Sequence, residues 1–492
     1  MKGNLTKNKL LSGVFLAVIS YVLLSLFIWF TVVKNQFYGY GIKTIVFYYI
    51  SIAVFFSAFL FYMYFVDIEA LSSSRKTAAI FTVFIVNYVI IYYCSLINSN
   101  LAPLALTTLI LTLLVGAKSA VFANVMQILI LFTTNFVFEV MDKSQLFVCL
   151  FIGLSTVTIS AFSIKYHNKR ISYVGTGVAL SIISAVAATI IYFMFLEGAF
   201  VLQNYLTNVL FALGGGMLNI MLMFLLLPLF EKMFNITTDF RLAELTNTNQ
   251  PLLKRLFNEA PGTFNHSMTV ANYTEACAMA IGENTYLARA AGYYHDIGKL
   301  RNPVYFSENQ RDGYNPHNEI APEVSVSFLK NHIVYGLSLA RTYKLPVELE
   351  RAIIEHHGSF VMKFFYTKAK QYTEGELSLR DYCYEGPTPT TKINGILMVV
   401  DACEAALRSL SVDDKAKAEK VVEGIVKERM EFGQFDNCDL TMKEIDTIKQ
   451  TIITTYMGAR HERVKYPEIA ISAENKQEEN ITDTLKEITT EK

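Results

Sequence analysis

The sequence predicts an all-α protein, in which a polytopic bundle of transmembrane helices is followed by a soluble helical domain. Of its 492 residues, 52% are hydrophobic, and the mean hydropathy of +0.33 is high for a purely soluble protein. Long apolar runs occupy the first 230 residues, whereas later segments mix apolar and charged residues at helical spacing. No stretch of the second half shows the two-residue alternation of a half-buried strand.

The apolar runs predict the membrane spans. A hydrocarbon core about 30 Å thick requires roughly 20 apolar residues per helix. Eight runs of about this length occur, at 10–33, 44–66, 77–97, 101–116, 119–138, 146–165, 172–196 and 205–230. The fourth run is short and is joined to the fifth only by Gly116, Ala117 and Lys118, so this pair could form one hairpin or a single helix.

Charged residues predict how these spans are oriented. Residues 1–230 contain 12 Lys and Arg against 5 Asp and Glu, and short cytoplasmic loops collect Lys and Arg. A cytoplasmic N-terminus places Arg75, Lys76 and Lys118 inside, and an even number of spans returns the C-terminal half to the cytoplasm. The lipid bilayer is therefore a predicted partner. Charge-poor spans argue against a transporter, and neither half has the basic stripe of a protein that binds nucleic-acid polymers.

Histidines distinguish the second half from a generic helical domain. Seven of the eight histidines follow residue 231, namely His266, His295, His317, His332, His356, His357 and His461. A lone helical histidine usually packs or is solvated, but adjacent residues such as His295–Asp296 and His356–His357 can direct two side chains to one point. Imidazole and carboxylate without thiolate suit iron, manganese or zinc. The six cysteines form no CxxC pair and are expected to be reduced.

The histidines lie within longer motifs. These are APGTFNHS (260–267), YYHDIGKLRNPVYFSENQ (293–310), NPH (315–317), HHG (356–358), GPTPTTK (386–392), DACEAALRSL (401–410) and FGQFDNCDLT (432–441). In this order they resemble the HD superfamily of metal-dependent phosphohydrolases. More narrowly, the chain resembles the seven-transmembrane HD proteins of bacteria, the PgpH-type cyclic di-AMP phosphodiesterases.

The resemblance implies a centre of two divalent metal ions, with manganese or iron expected. One metal would be held by His266, His295, Asp296 and Asp401, with Asp296 bridging. The second would be completed by His332, His356 and His357. A hydroxide bridging the metals would then attack phosphorus and hydrolyse cyclic di-AMP to pApA at the cytoplasmic face of a bacterial membrane.

The same resemblance assigns roles beside the metals. Asp296 and Lys299 are the candidate catalytic residues, and Lys299 is also expected to contact phosphate. Alternatively, Lys299 is only a cation favoured by the dipole at a helix C-terminus. His317 and Tyr305 are candidate substrate-binding residues, although His317 could instead order a loop and Tyr305 could pack in the core.

The predicted domains follow the composition and the resemblance. They are an N-terminal transmembrane anchor with a short external loop (1–43), a seven-helix transmembrane region (44–232), a coupling linker (233–259), an HD phosphohydrolase domain (260–471) and a disordered tail (472–492). Related proteins commonly carry an extracytoplasmic domain after the first helix, whereas here about ten residues, 34–43, occupy that position. The sequence allows a homodimer but does not specify one.

Three alternative functions remain. Hydrolysis of cyclic di-GMP is disfavoured because no Gly-Tyr-Pro signature follows His357, where the chain continues Gly-Ser-Phe-Val-Met-Lys. Hydrolysis of ppGpp is weakened by the narrower resemblance. A membrane receptor with a nucleotide-binding, non-catalytic HD domain belongs to a different class, and the intact set of seven candidate ligands argues against it.

Overall fold

In the computed structural model, the described residues are 2–34, 39–166, 170–310, 313–372 and 376–459. Within these ranges every regular element is helical, apart from one isolated β-bridge between Val361 and Cys383. The predicted all-α fold class, a transmembrane bundle followed by a helical domain, is confirmed. The predicted disordered tail, 472–492, lies outside the described residues, as do His167 and His461.

The first half of the chain forms a helical bundle. Its helices are α1 (Lys2–Ile28, continued by the π-helical turn Trp29–Val33), α2 (Ile42–Val66), α3 (Ile68–Ser72), α4 (Ser74–Ile97), α5 (Leu106–Leu114), α6 (Ala117–Val137), α7 (Lys143–Tyr166), α8 (Arg170–Met194) and α9 (Leu202–Phe234). Seven of them are long and apolar enough to cross a membrane. Large apolar side chains such as Phe47, Phe61 and Leu225 are exposed on the outside of the bundle, as expected for helices that face lipid. The protein is a multi-pass membrane protein.

The fourth predicted span is wrong as a full transmembrane helix. Residues 101–116 contain only α5, whose nine residues extend roughly 14 Å, less than half of the apolar thickness. Pro103 explains the interruption, because it lacks an N–H and pushes the preceding residue, Ala102, into an extended conformation. The predicted seven-helix region therefore contains six of the seven long helices and this interrupted segment.

Buried amide side chains form hydrogen bonds with backbone groups that have no helical partner at the interruption. Asn124 donates to the carbonyl of Leu104 at 2.8 Å, and the Oδ1 of Asn219 accepts from the amide of Ala105 at 3.0 Å. Irregular backbone at membrane depth is tolerated where it is buried in protein. Gly215 of α9 lies against the backbone of Asn100, where a Cβ atom would collide. The glycines of α9 therefore permit close packing and do not interrupt that helix.

Contacts at the two ends of the bundle show how the chain passes through it. At one end, Ser12 is hydrogen-bonded to Ser74 at 2.8 Å, and Ser119 donates to Asp67 at 2.6 Å. At the other end, Asn98 donates to Asn208, near the start of α9, at 3.4 Å. The segment between α4 and α6 therefore connects opposite ends despite its interruption. Among the described residues, the seven long helices and this segment make eight passages through the bundle. Thr237, just after α9, lines the same cavity as Lys118, so α9 ends at the end where α1 begins.

The second half forms a separate helical domain with its own apolar core. Its helices are α10 (Asp239–Leu245), α11 (Pro251–Glu259), α12 (Pro261–Ile281), α13 (Thr285–Tyr294), α14 (Pro322–Thr342), α15 (Val347–Glu355), α16 (Lys363–Tyr372), α17 (Lys392–Ser409), α18 (Lys415–Glu431) and α19 (Met442–Ala459). A 3₁₀ segment, Ile297–Arg301, follows α13 closely.

The connection from the bundle reaches the helix that precedes the histidine pair. Thr237, just after α9, donates to Glu348 in the first turn of α15 at 2.8 Å. The next residue, Thr238, caps α10 by accepting from the amide of Arg241 at 3.2 Å. A cavity of about 1020 Å³ lies at this junction, lined by residues of both halves such as Lys118 and Phe240. None of the predicted metal ligands lines this large cavity.

Candidate metal centre

Five elements bring the seven predicted ligands together. His266 lies within α12, His295 and Asp296 at the end of α13, His332 within α14, His356 and His357 just after α15, and Asp401 within α17. Six of the seven residues are at most 8% exposed, and His357 is partly buried, with 21% of its side chain accessible.

The end of α13 explains how adjacent residues serve one site. His295 is the C-cap of α13 and keeps helical angles, whereas Asp296 leaves them with φ −106° and ψ 13°. Consecutive side chains inside a helix point about 100° apart, so both could not reach the same point there. The helix must end between these two residues for both of them to face the cluster.

The seven side chains form two groups that share Asp296. His266, His295, Asp296 and Asp401 form one group, and Asp296, His332, His356 and His357 form the other. In each group, one potential ligand atom per residue lies within 4.8 Å of the others. The two oxygens of Asp296 serve different groups, since Oδ2 is 3.2 Å from His295 Nε2 and Oδ1 is 3.6 Å from His332 Nε2. The carboxylate therefore lies where a bridging ligand would lie, although the ligand assignments stay predictions.

Hydrogen bonds orient the imidazoles toward the centre of the cluster. The Nδ1 atoms of His295 and His356 lie 2.8 Å from the carbonyls of Gly292 and Ile353, and His332 Nδ1 contacts the carbonyl of Leu329 in the same way. These contacts place an N–H on Nδ1 and direct the Nε2 atoms inward.

Two buried atoms at the centre lack hydrogen-bond partners. They are Nε2 of His295 and Oδ1 of Asp296, both inaccessible to solvent. Buried polar atoms without partners are rare and destabilising unless something else binds them. A nitrogen and a carboxylate oxygen left open in this way fit a divalent cation, and the absence of thiolate from both groups suits manganese, iron or zinc. The domain thus has a candidate divalent metal site.

The carboxylates of the cluster are held in their anionic form. Burial raises the pKa of Asp296, but the adjacent His295 and Lys299 more than offset this and hold that pKa well below its usual range. Burial also raises the pKa of Asp401, whereas the hydrogen bond with His266 and the nearby imidazole of His295 lower it well below the usual range. Two negative charges are therefore available to a cation at any physiological pH.

The imidazoles divide into two electrostatic classes. Burial lowers the pKa of His332 and His357, and it lowers that of His356 to about 3, so these rings are neutral and can act as ligands. Burial also opposes the protonation of His295, yet the carboxylates of Asp296 and Asp401 raise its pKa to about 10. A proton on His295 thus supplies positive charge that a bound cation would replace, with release of that proton.

A smaller cavity of about 350 Å³ opens beside this cluster and contains the other predicted site residues. Lys299, Tyr305 and His317 all line it. The Lys299 ammonium lies 2.7 Å from Asp296 Oδ2 and 2.8 Å from Glu308 Oε1, so it is engaged by two carboxylates. Tyr305 is stacked on Phe328 at 3.9 Å, and His317 Nε2 contacts the carbonyl of Tyr305 at 2.8 Å. Substrate contacts by these three residues stay predictions.

Sequence reasoning missed two residues that contact the cluster. Glu404 accepts from His266 Nδ1 at 2.5 Å, and Tyr384 stacks on His357 with ring centroids 4.2 Å apart. Glu404 had a detectable signal, because it follows Asp401 by three residues and shares its helix face. Tyr384 had none, since its packing on His357 depends on how the segment after α16 folds back.

Replacing Glu404 by glutamine is expected to weaken metal binding by roughly 10–100-fold, because outer partners fix the orientation and basicity of a ligating imidazole. The measurement is a titration of the metal-depleted full chain with Mn²⁺. Glu419→Gln on α18 is the matched control, since that carboxylate is 45% exposed and pairs with Lys415 on the same helix. Wild-type affinity in Glu404→Gln would show that Glu404 does not support a ligand.

A membrane bundle followed by a helical domain with a buried histidine–aspartate cluster is the architecture of membrane-anchored HD proteins. Residues 263–406 match the HD domain family, and residues 42–238 match the family described as "7TM receptor with intracellular HD hydrolase". The chain belongs to this family of seven-transmembrane proteins with an HD domain, which confirms the resemblance of its motifs.

Individual relatives agree with this assignment. Over 304 residues the chain is 39% identical to "Cyclic-di-AMP phosphodiesterase PgpH" of Bacillus subtilis strain 168, a match covering 61% of this chain and 42% of that protein. Over 372 residues it is 37% identical to the protein of the same name from Listeria monocytogenes serotype 1/2a, covering 75% and 50%. The chain thus spans about half the length of the curated relatives it matches.

One solved structure that matches is the L. monocytogenes PgpH HD domain in complex with cyclic-di-AMP. It is 42% identical and covers 44% of this chain and 100% of that chain, with a TM-score of 0.42.

Proposed function

We propose that this protein is a metal-dependent phosphodiesterase that hydrolyses cyclic di-AMP to pApA at the cytoplasmic face of a bacterial membrane. The observation that carries the proposal is the pair of ligand groups that share Asp296 and leave His295 Nε2 and Asp296 Oδ1 without partners. The relatives named as cyclic-di-AMP phosphodiesterases support the choice of substrate.

The proposed cofactor is a pair of divalent ions, manganese or iron, held by the seven residues of the two groups. Such a pair, when bound, neutralises phosphate charge and lowers the pKa of a coordinated water. The protein holds Asp296 anionic between the two groups, and the Nδ1 contacts described above direct the Nε2 atoms of three imidazoles inward. Lys299 supports this arrangement by pairing with the oxygen of Asp296 that faces His295.

The reaction itself requires only water and the substrate. The water oxygen forms a bond to phosphorus, the bond from phosphorus to the ribose 3′-oxygen breaks, and a proton ends on that oxygen. This single cleavage opens the ring of cyclic di-AMP and yields the linear dinucleotide pApA. Aromatic side chains such as Tyr305, Phe306 and Phe365 line the adjacent cavity and offer apolar surface for a nucleobase.

The cytoplasmic location is proposed on two supports. Lys and Arg concentrate in the loops at the end of the bundle that carries Arg75, Lys76 and Lys118, and this is the end from which the HD domain continues. The description of the matching family, which names an intracellular HD hydrolase, supports the same side. A fluorescent protein fused after the HD domain is expected to fluoresce, because most such reporters mature only in the cytoplasm.

The proposed function is tested with the purified full chain in detergent. Metal analysis is combined with hydrolysis of cyclic di-AMP, cyclic di-GMP and ppGpp, before and after chelation and with Mn²⁺ restored. We expect pApA as the product, loss of turnover on chelation and recovery with Mn²⁺. Metal-loaded protein that binds cyclic di-AMP without turnover would favour the receptor alternative, and faster hydrolysis of another nucleotide would replace the substrate.

A further inference from the structure

One face of α17 runs from the metal groups to the mouth of the adjacent cavity. Asp401, Ala405 and Arg408 lie on this face at positions i, i+4 and i+7, and all three line the cavity of about 350 Å³. Side chains on a helix lean toward its N-terminus, so the guanidinium of Arg408 extends back toward Asp401. With 44% of its side chain exposed, Arg408 is accessible at the rim of the cavity.

Among the residues that the structure describes, Arg408 and Lys299 are the two Lys or Arg side chains lining this cavity, and they differ in how firmly they are paired. Lys299 is 11% exposed and lies within 2.8 Å of two carboxylate oxygens, which compensates its charge. Arg408 has a looser contact, 3.6 Å from its Nε to Glu404 Oε1. The other oxygen of Glu404 is 2.5 Å from His266 Nδ1, so this carboxylate is already shared.

We propose that Arg408 binds the second, non-scissile phosphate of the cyclic dinucleotide. This inference rests on the proposed function, since it concerns how the same site recognises its substrate. A cyclic dinucleotide contains two phosphodiesters in one ring, and only one of them can lie at the metal groups. The other remains anionic, and the aromatic wall of the cavity cannot compensate its charge.

The chemistry of arginine fits this task. Its planar guanidinium presents several N–H donors in a fixed fork that matches phosphate oxygens, and it stays charged at every relevant pH. Its position two helical turns beyond Asp401, roughly 10 Å along the helix axis, separates it from the reacting phosphate. Arg408 would therefore contribute to substrate binding and leave the chemical step to the metal groups.

The test compares Arg408→Gln with wild-type full chain on two phosphodiesters in the presence of Mn²⁺. Cyclic di-AMP has two phosphates, whereas bis(p-nitrophenyl) phosphate has one and cannot use a second anchor. We expect the KM for cyclic di-AMP to rise about tenfold or more in Arg408→Gln, as for loss of one charge-assisted hydrogen bond, with kcat changed little. Hydrolysis of the small diester should change no more than about twofold, and Arg408→Lys should recover part of the binding.

Arg341→Gln on α14 is the matched control, because that arginine is 67% exposed and pairs only loosely with Glu350, at 3.5 Å. It should match wild type on both substrates. An equal loss on both substrates in Arg408→Gln, or a fall in its metal content, would mean that Arg408 acts through Glu404 and would overturn the inference. Unchanged kinetics on cyclic di-AMP would overturn it as well. Wild-type protein that cleaves the small diester but not cyclic di-AMP would instead refute the proposed function.

Discussion

Asparagine at position 296 is expected to remove both metal binding and turnover of cyclic di-AMP. Asp296 is the one residue common to the two ligand groups, and it is 1% exposed. The substitution removes a negative charge from both groups and leaves Lys299 and His295 beside a neutral amide. The loss should exceed the roughly 10–100-fold effect of removing an outer partner such as Glu404. Metal content and kcat of the purified full chain are the measurements.

Asp446→Asn provides the control for this substitution. Its carboxylate lies on α19, is 64% exposed and pairs with Lys449 at 2.8 Å, so the same chemical change should leave metal content and turnover unaltered. Circular dichroism and size-exclusion chromatography of Asp296→Asn establish that the protein measured is folded, because breaking a buried ion pair can cost about 3–5 kcal/mol. A folded Asp296→Asn protein that retained two metal equivalents would contradict the shared-ligand assignment.

Alanine at position 298 is expected to destabilise the HD domain and displace one half of the cluster from the other. Gly298 belongs to the 3₁₀ segment after Asp296, and its Cα faces the carbonyl of His332 and the amide of Gly336. A Cβ atom there would overlap the backbone of α14, which cannot yield as a flexible side chain could. Overpacking of this kind typically costs about 1–3 kcal/mol, or more against backbone. Because the contact joins the segment after Asp296 to the helix that carries His332, metal affinity should fall together with stability.

Gly424→Ala is the matched control and should have the opposite sign. Gly424 is exposed within α18, and nothing lies within 4 Å of the position that its Cβ would occupy. Alanine is favoured over glycine in a helix interior by about 1 kcal/mol, so this variant should be slightly more stable. Thermal unfolding of the metal-free full chain, followed by circular dichroism, compares the two variants. Equal stability of the Gly298 and Gly424 variants would refute the proposed backbone contact.

Much of the fold and of the cluster could be predicted because the responsible signals are local. Each long span can be recognised from about 20 consecutive, mostly apolar residues. The motifs around His295 and His356 can be recognised from the residues that directly flank them. The interrupted fourth passage shows the limit of such local signals. Its composition is apolar like that of a span, but Pro103 interrupts it before α5, and the side-chain amides that hydrogen-bond to the buried, irregular backbone come from Asn124 and Asn219 on other helices.

The roles of charged residues near the metal groups depend on partners that lie far apart in the chain. Lys299 could be placed near Asp296 from spacing alone, but its pairing with Glu308 could not. Tyr384 reaches His357 only because residues 360–384 fold back, with the amide of Tyr384 donating to the carbonyl of Phe360 at 3.0 Å. Spacing along a helix predicted neither contact.

The sequence by itself determined the helical class, the division between an apolar and a mixed half, and the residue types able to hold divalent cations. These properties follow from composition and from the spacing of apolar residues along short stretches of chain. Neither depends on how distant segments pack. Only the tertiary structure decided that the fourth passage is interrupted, that the two oxygens of Asp296 face different histidines, and that Arg408 remains loosely paired beside an engaged Lys299. Those outcomes depend on distances between helices, which are set by the packing of side chains from many parts of the chain.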